Sequence, residues 1–120
     1  MLAKTILILE DEPFIAMDLE MAVSDAGHIA LTAIDNEEAT RFCEDHVIAG
    51  AILDVSLGRK ETCKPTATLL SEAEIPFILH TGDLNRVGEH LREIEAPVIA
   101  KPRPAEDVVA TLLDLLKETA

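Results

Sequence analysis

Apolar residues along this chain come in short blocks that alternate between strand-like and helix-like spacing. Lys4 to Leu9 (KTILIL) is a nearly unbroken apolar run rich in branched side chains, and it stops abruptly at Glu10-Asp11-Glu12-Pro13. A strand covered on both faces looks like this, because a parallel sheet with helices on each side shows no polar face to water. Pro13 suits the first turn of a helix, where its missing N–H costs nothing, and acids just before it favour the positive end of the helix dipole. From there Phe14, Ile15, Leu19, Ala22 and Ala26 recur at helical spacing until Gly27 ends the helix.

The alternation then repeats. His28 to Ile34 reads as a second strand, and Asn36 to His46 as a helix with Ala39, Phe42 and Cys43 inward. Ala49 to Leu53 is a third strand ending at Asp54, and a loop through Gly58 leads to a helix from Lys64 to Ala73. Pro76 to Leu79 is a fourth strand ending at Thr81-Gly82, followed by a helix with Leu84, Val87, Leu91 and Ile94 on one stripe. Pro97 to Ala100 is the fifth strand, ending at Lys101-Pro102. The last helix starts near Pro104 and places Val108, Val109, Leu112, Leu113, Leu115 and Leu116 on one apolar face. Five short strands alternating with five helices predict a doubly wound α/β domain with a parallel sheet. Right-handed crossovers leave few topologies, of which the flavodoxin-like order 2-1-3-4-5 is the natural one. No linker, internal repeat or low-complexity tract interrupts the pattern, so residues 1–120 are expected to form a single domain with no output domain.

Composition narrows what such a domain does. With 48% hydrophobic residues but no Trp or Tyr and three Phe, the core must be aliphatic. Ten basic against 23 acidic residues give a formal charge of -13. That surface repels phosphate backbones and anionic membranes, so neither nucleic acid nor membrane is an expected partner. Cys43 and Cys63 lack metal-ligand spacing and are expected to be reduced structural thiols. No apolar run approaches a membrane span and the N-terminus has no signal pattern, so a cytoplasmic protein is expected.

The strand ends carry the chemistry. In an open α/β sheet, ligands bind outside the carboxyl ends of the strands, where strand order reverses. Here strand one ends in Glu10 and Asp11, strand three in Asp54, strand four in Thr81 and strand five in Lys101. Order 2-1-3-4-5 brings three carboxylates, a hydroxyl and an ammonium to one edge. Three packed carboxylates repel, and a hard divalent cation and a fixed lysine relieve the repulsion. Mg²⁺ takes one or two protein carboxylates with waters and phosphate oxygens. Asp11 and Asp54 are the candidate carboxylate ligands, the backbone carbonyl of Ser56 a third, and Glu10 acts through water or orients its neighbour. Asp54, at the tip of a rigid strand, could attack a phosphoryl group in line, with the metal and Lys101 neutralising the charge on its oxygens. Thr81 is placed to donate its hydroxyl to the transferred group. Taken singly, each residue has a plainer explanation: a helix cap for Glu10 and Asp11, a turn for Asp54 and for Thr81-Gly82, a surface position for Lys101. Their joint occurrence at successive strand ends is what points to a site.

With those residues in place, the chain resembles the receiver domains of bacterial response regulators, over essentially its whole length. ILILEDE holds Glu10 and Asp11 in the acid-pair positions, and AILDVSLG holds Asp54 in the phosphoacceptor position. ILHTG places Thr81 as the switch hydroxyl, and VIAKP places Lys101 before Pro102. The resemblance implies the flavodoxin-like fold, Mg²⁺ dependence and phosphoryl transfer to Asp54 from a sensor histidine kinase or histidine phosphotransfer protein. It also implies a cis Lys101-Pro102 bond and a stand-alone regulator acting on a downstream protein or within a phosphorelay. Such a protein assists its own phosphorylation and dephosphorylation and is not a turnover enzyme.

One departure stands out: Val98 occupies the position where many receivers carry an aromatic switch residue. The expectation is a relay through the loop and helix after Thr81-Gly82 instead. Strand alternation points His80 away from Thr81, so a packing or surface role is expected for it. His28, His46 and His90 suggest no metal site, and Arg59, Lys60 and Lys64 read as a solvated loop. The alternative function is a pseudo-receiver, the same fold serving as a phosphorylation-independent interaction module. A Mg²⁺ phosphatase with an Asp nucleophile fits poorly, since Glu10-Asp11-Glu12 is not Asp-x-Asp and there is no room for a cap. A flavin or nucleotide binder lacks its Gly-rich loop after strand one.

Overall fold

The computed structural model describes residues 2–58, 61–82, 84, 87 and 94–119. Its strands are β1 (Thr5–Leu9), β2 (Ile29–Ala33), β3 (Gly50–Leu53), β4 (Phe77–Thr81) and β5 (Val98–Ala100). All pair in parallel, in the order β2-β1-β3-β4-β5. The described helices are α1 (Pro13–Asp25), α2 (Asn36–Asp45), α3 (Lys64–Glu72) and, at the C-terminus, α4 (Ala105–Thr119). The helix expected between β4 and β5 lies largely outside the described residues. Of its stripe, Leu84 and Val87 are helical, Val87 and Ile94 pack against the core, and Leu91 is not among the described residues.

The two-residue period of each strand divides the core. Leu7, Leu9, Ala51, Leu53 and Leu79 face α2 and α3, meeting Ala39, Ala67 and Leu70. Ile6, Ile8, Ile52, Ile78 and Ile99 face α1 and α4, meeting Leu19, Val23, Val108 and Leu112. The layer facing α1 and α4 is aliphatic, the other adds Phe77 to its aliphatic side chains, and each buried Leu or Ile contributes about 1.5–3 kcal/mol relative to exposure. Gly50 on β3 has a packing reason: a Cβ there would come within 2.9 Å of Leu116 Cδ2. The missing side chain lets α4 lie close against the sheet.

Local chemistry sets the helix ends. Glu12 caps α1, its carboxylate accepting from the amides of Phe14 and Ile15, with Pro13 in the first turn. Asp35 caps α2 through the amide of Glu38, and Gly27, at φ +86°, makes the left-handed turn after α1. One sequence expectation needs correction. Phe14 is not part of the inward stripe of α1: it is 74% exposed, and Ala16, Leu19 and Val23 form the buried face. At about 100° per residue, Phe14 lies about 160° around the helix from Ala16 and about 140° from Leu19, so it points away from the buried face. β4 ends at Thr81, as the sequence reading has it, and Thr81 pairs with Ala100 of β5. Among the described residues, no helix is long and apolar enough to cross a membrane.

Candidate functional site

Sheet register assembles the candidate residues. Leu9 lies opposite Leu53, so Glu10 and Asp54 leave neighbouring strands side by side. Their backbones stay anchored: the Glu10 amide donates to Ala33 O at 3.0 Å and the Asp54 amide to Leu9 O at 2.8 Å. On the other side, the Lys101 amide donates to Thr81 O at 2.9 Å, which ties the end of β5 to the end of β4. The Lys101-Pro102 peptide is cis, as the resemblance implied.

The side chains converge on one ammonium. Lys101 Nζ lies 2.9 Å from Glu10 Oε1 and 3.2 Å from Asp54 Oδ2. The second oxygen of each carboxylate is held by backbone: Glu12 N–H donates to Glu10 Oε2 at 3.2 Å, and Ser56 N–H to Asp54 Oδ1 at 3.3 Å. Asp54 and Glu10 are buried, whereas Asp11 is exposed at the rim. One oxygen from each of Glu10, Asp11 and Asp54 fits within a 4.8 Å cluster.

The electrostatics are those of an under-neutralised anionic site. Burial pushes the Glu10 carboxyl up to about 7; the Lys101 hydrogen bond opposes the shift and the nearby Asp54 adds to it. Burial works to lower Lys101, but Glu10 and Asp54 outweigh it and hold the ammonium above its ordinary value. Three carboxylates face one cation. Hard oxygen donors, two buried and one at the rim, suit a small divalent cation that keeps part of its water shell.

The loop after β3 closes over this edge. Ser56 and Thr62 form an antiparallel bridge, and Gly58 turns the loop at φ +67°. A Cβ on Gly58 would sit 3.3 Å from Asp11 Oδ2, so the backbone passes close to that carboxylate. Asn36, the first residue of α2, holds the loop from outside. Its amide donates to Thr62 O at 2.9 Å, and its oxygen accepts from Thr66 Oγ1 at 2.7 Å. Sequence reasoning saw Asn36 only as a helix start. Its partners lie 26 and 30 positions away, and nothing local announces them.

The remaining expected residues are placed as follows. Thr81 is buried at the end of β4. His80 is buried on the α1/α4 side of the sheet, beside Ile99 of β5. His28 Nδ1 accepts from the Lys4 amide, and His46 ends α2 tilted against Phe42. Arg59, Lys60 and His90 lie outside the described residues. Lys64 is exposed at the start of α3, and Val98 is 41% exposed on β5. Both cysteines are free thiols, and burial pushes Cys63 up to about 12.

Comparison with known proteins adds the last observation. No protein-family model matches the chain. Over 118 residues it is 35% identical to the phyllosphere-induced regulator PhyR of Methylorubrum extorquens, a match that covers 96% of this chain and 44% of that protein. It is 31% identical to a probable transcriptional regulator, ycf27, of Cyanophora paradoxa, covering 97% of this chain and 49% of the other. The chain thus spans about half the length of these curated relatives. Among solved structures, SdrG from Sphingomonas melonis is 37% identical with a TM-score of 0.78, covering 96% of this chain and 97% of that one. A response regulator receiver protein from Sinorhizobium medicae superposes with a TM-score of 0.85 over 98% of both chains at 19% identity, which shows the shared fold. With the 2-1-3-4-5 sheet and the acid–lysine cluster at its carboxyl edge, these relationships identify the chain as a member of the response regulator receiver domains of two-component signalling.

Proposed function

We propose that Asp54 accepts a phosphoryl group from a phosphohistidine on a sensor histidine kinase or histidine phosphotransfer protein. The observation that carries this reading is the Lys101 ammonium seated between Glu10 and Asp54 at the strand edge. In the transfer, an Asp54 carboxylate oxygen forms the new O–P bond as the N–P bond breaks, and that bond's electron pair returns to the donor imidazole. Asp54 is suited to in-line attack because its Oδ1 is fixed by the Ser56 amide and its Oδ2 by Lys101. Lys101 then follows the negative charge onto the phosphoryl oxygens. Thr81, at the end of the neighbouring β4, donates its hydroxyl to the transferred group.

Glu10, Asp11, Asp54 and the backbone carbonyl of Ser56 would hold Mg²⁺. The ion would supply charge neutralisation for phosphoryl oxygens in a site where carboxylates outnumber the lysine. The protein assists its own phosphorylation and dephosphorylation rather than turning over a substrate. It acts in the cytoplasm, where its kinase or phosphotransfer partner and a downstream protein read the modified surface.

The test is to incubate the protein with Mg²⁺ and acetyl phosphate and measure its intact mass. A phosphoryl adduct abolished by Asp54→Asn is the expected result. An adduct that survives Asp54→Asn assigns the nucleophile elsewhere, and no adduct together with no beryllofluoride binding favours a phosphorylation-independent interaction module.

A further inference from the structure

The loop after β3 contains a bridged pair. Residues 55–57 and 61–63 run antiparallel: the Leu57 amide donates to Glu61 O at 3.0 Å and the Cys63 amide to Val55 O at 3.0 Å. Ser56 and Thr62 face each other between those two bonds. A residue in such a non-hydrogen-bonded pair turns its own N–H and C=O away from the opposite segment. Ser56 therefore has both groups on the side of the carboxylates, where its N–H donates to Asp54 Oδ1 at 3.3 Å. Thr62 has its own groups on the outer side, where its carbonyl accepts from the Asn36 side-chain amide at 2.9 Å. Asn36 and Asp54 thus grip opposite sides of one bridged pair.

Asn36 holds this grip from a fixed place. It opens α2, which Asp35 caps by accepting from the Glu38 amide. Only one orientation of its amide satisfies both partners: the nitrogen donates to Thr62 O, and the oxygen accepts from the hydroxyl of buried Thr66 at 2.7 Å. Thr66 lies on α3, so one side chain ties α2, the loop and α3 together. Val55, Leu57 and Cys63 are buried and keep the loop folded without its help. What Asn36 adds is the position of the outer segment, and with it the position of Ser56.

We infer that Asn36 is a positioning residue for phosphoryl transfer. Through Thr62 it sets Ser56, whose N–H orients the Asp54 carboxylate and whose carbonyl belongs to the Mg²⁺ ligand set. The inference rests on the reading of Asp54 as phosphoacceptor. Asn36 acts through the bridged pair and not on the reacting atoms.

The experiment compares amide NMR spectra, Mg²⁺ affinity and the acetyl phosphate reaction across variants of Asn36 and Thr66. Asn36→Asp sets an oxygen against Thr62 O, and Asn36→Leu removes the donor without adding charge. An aspartate suits a helix start, so α2 stays stable in the first of these. In metal-free protein, the Ser56 amide proton should move upfield in both, as its bond to the Asp54 carboxylate lengthens. Mg²⁺ should bind about fivefold to tenfold more weakly, the scale of one hydrogen bond. Phosphorylation at saturating Mg²⁺ should slow by about tenfold or more. Thr66→Val should move all three readouts the same way, and Thr66→Ser, which keeps the hydroxyl, should match wild type. An unmoved Ser56 amide, or unchanged Mg²⁺ affinity in both Asn36 variants, overturns the inference. Loss of hydrogen-exchange protection at Leu57 and Cys63 does so too, because it shows the loop opening rather than shifting. A wild-type protein that takes no phosphoryl group overturns the acceptor reading alone; the Ser56 shift and the Mg²⁺ affinity still decide the role of Asn36.

Discussion

Lys101 Nζ stands 2.9 Å from Glu10 Oε1, and the two residues are 91 positions apart in the chain. The bond joins the last strand to the first across the two central strands. It does not neutralise the site, since Asp54 lies 3.2 Å from the same ammonium and Glu10 still has its carboxyl raised to about 7. Two physical consequences follow, one for cations and one for protons.

The cation consequence is measurable as stability. Mg²⁺ bound only by the folded state should raise the melting temperature, with stabilisation growing as the logarithm of the free Mg²⁺ concentration above Kd. Asp11→Asn, an exposed change, should leave the fold intact and weaken Mg²⁺ by about tenfold or more, since Mg²⁺ relies on one or two carboxylates. Equal Mg²⁺ affinity in Asp11→Asn removes Asp11 from the ligand set.

Protons bring two opposing effects. Glu10 has its folded pKa raised from 4.5 to about 7, so between these values the folded protein holds a proton that the unfolded chain does not, and stability falls as pH rises. His80 has its folded pKa lowered from 6.5 to about 4, so in that window the unfolded chain holds the extra proton, and stability rises with pH. Each contributes a slope of at most about 1.4 kcal/mol per pH unit, and the two oppose each other where the windows overlap. In EDTA, Glu10→Gln should therefore steepen the loss of stability on acidification towards pH 4. His80→Leu should do the reverse, making the protein relatively more stable as pH falls below 7. Urea unfolding across pH reads both: a Glu10→Gln profile no steeper than wild type shows that the Glu10 carboxyl is not raised, and a His80→Leu profile that matches wild type shows that His80 is not held neutral.

Removing the shared cation should cost more at neutral than at acid pH. Lys101→Met leaves Glu10 and Asp54 facing each other without an ammonium, an expected loss of about 1–3 kcal/mol at pH 7 in EDTA. At pH 5, where Glu10 carries its proton, most of that loss should vanish. A pH-independent loss instead assigns the effect to packing of the lysine stem. The same variant should acquire phosphoryl groups from acetyl phosphate far more slowly than wild type.

Gly58 links backbone geometry to the acidic cluster. Gly58→Ala forces a side chain into positive φ, at about 1 kcal/mol, and places a methyl 3.3 Å from Asp11 Oδ2. Stability and Mg²⁺ affinity should both drop. Gly27→Ala has the same backbone penalty at φ +86° but nothing within 4 Å of the added carbon, so only stability should drop. Thermal unfolding with and without Mg²⁺ separates the two, and parallel behaviour of both variants would show that crowding at Asp11 has no effect.

Much of this was legible in the order of residues. The strands announced themselves because burial on both faces demands unbroken apolar runs, and each run ends where a polar residue must meet water or a ligand. The same logic placed Glu10, Asp54, Thr81 and Lys101 at one edge once the strand order was inferred. Handedness and the short connections restricted that order before any coordinate was known.

Other features depend on contacts between segments remote in sequence. The bridge from Asn36 to Thr62 and Thr66 joins three segments that only folding brings together. The raised carboxyl of Glu10 and the unpartnered ring of His80 come from burial, a property of the packed whole. Local periodicity thus determined the elements and the residues at their ends. Register and desolvation, which act between distant segments, decided what those residues face and which protons they hold.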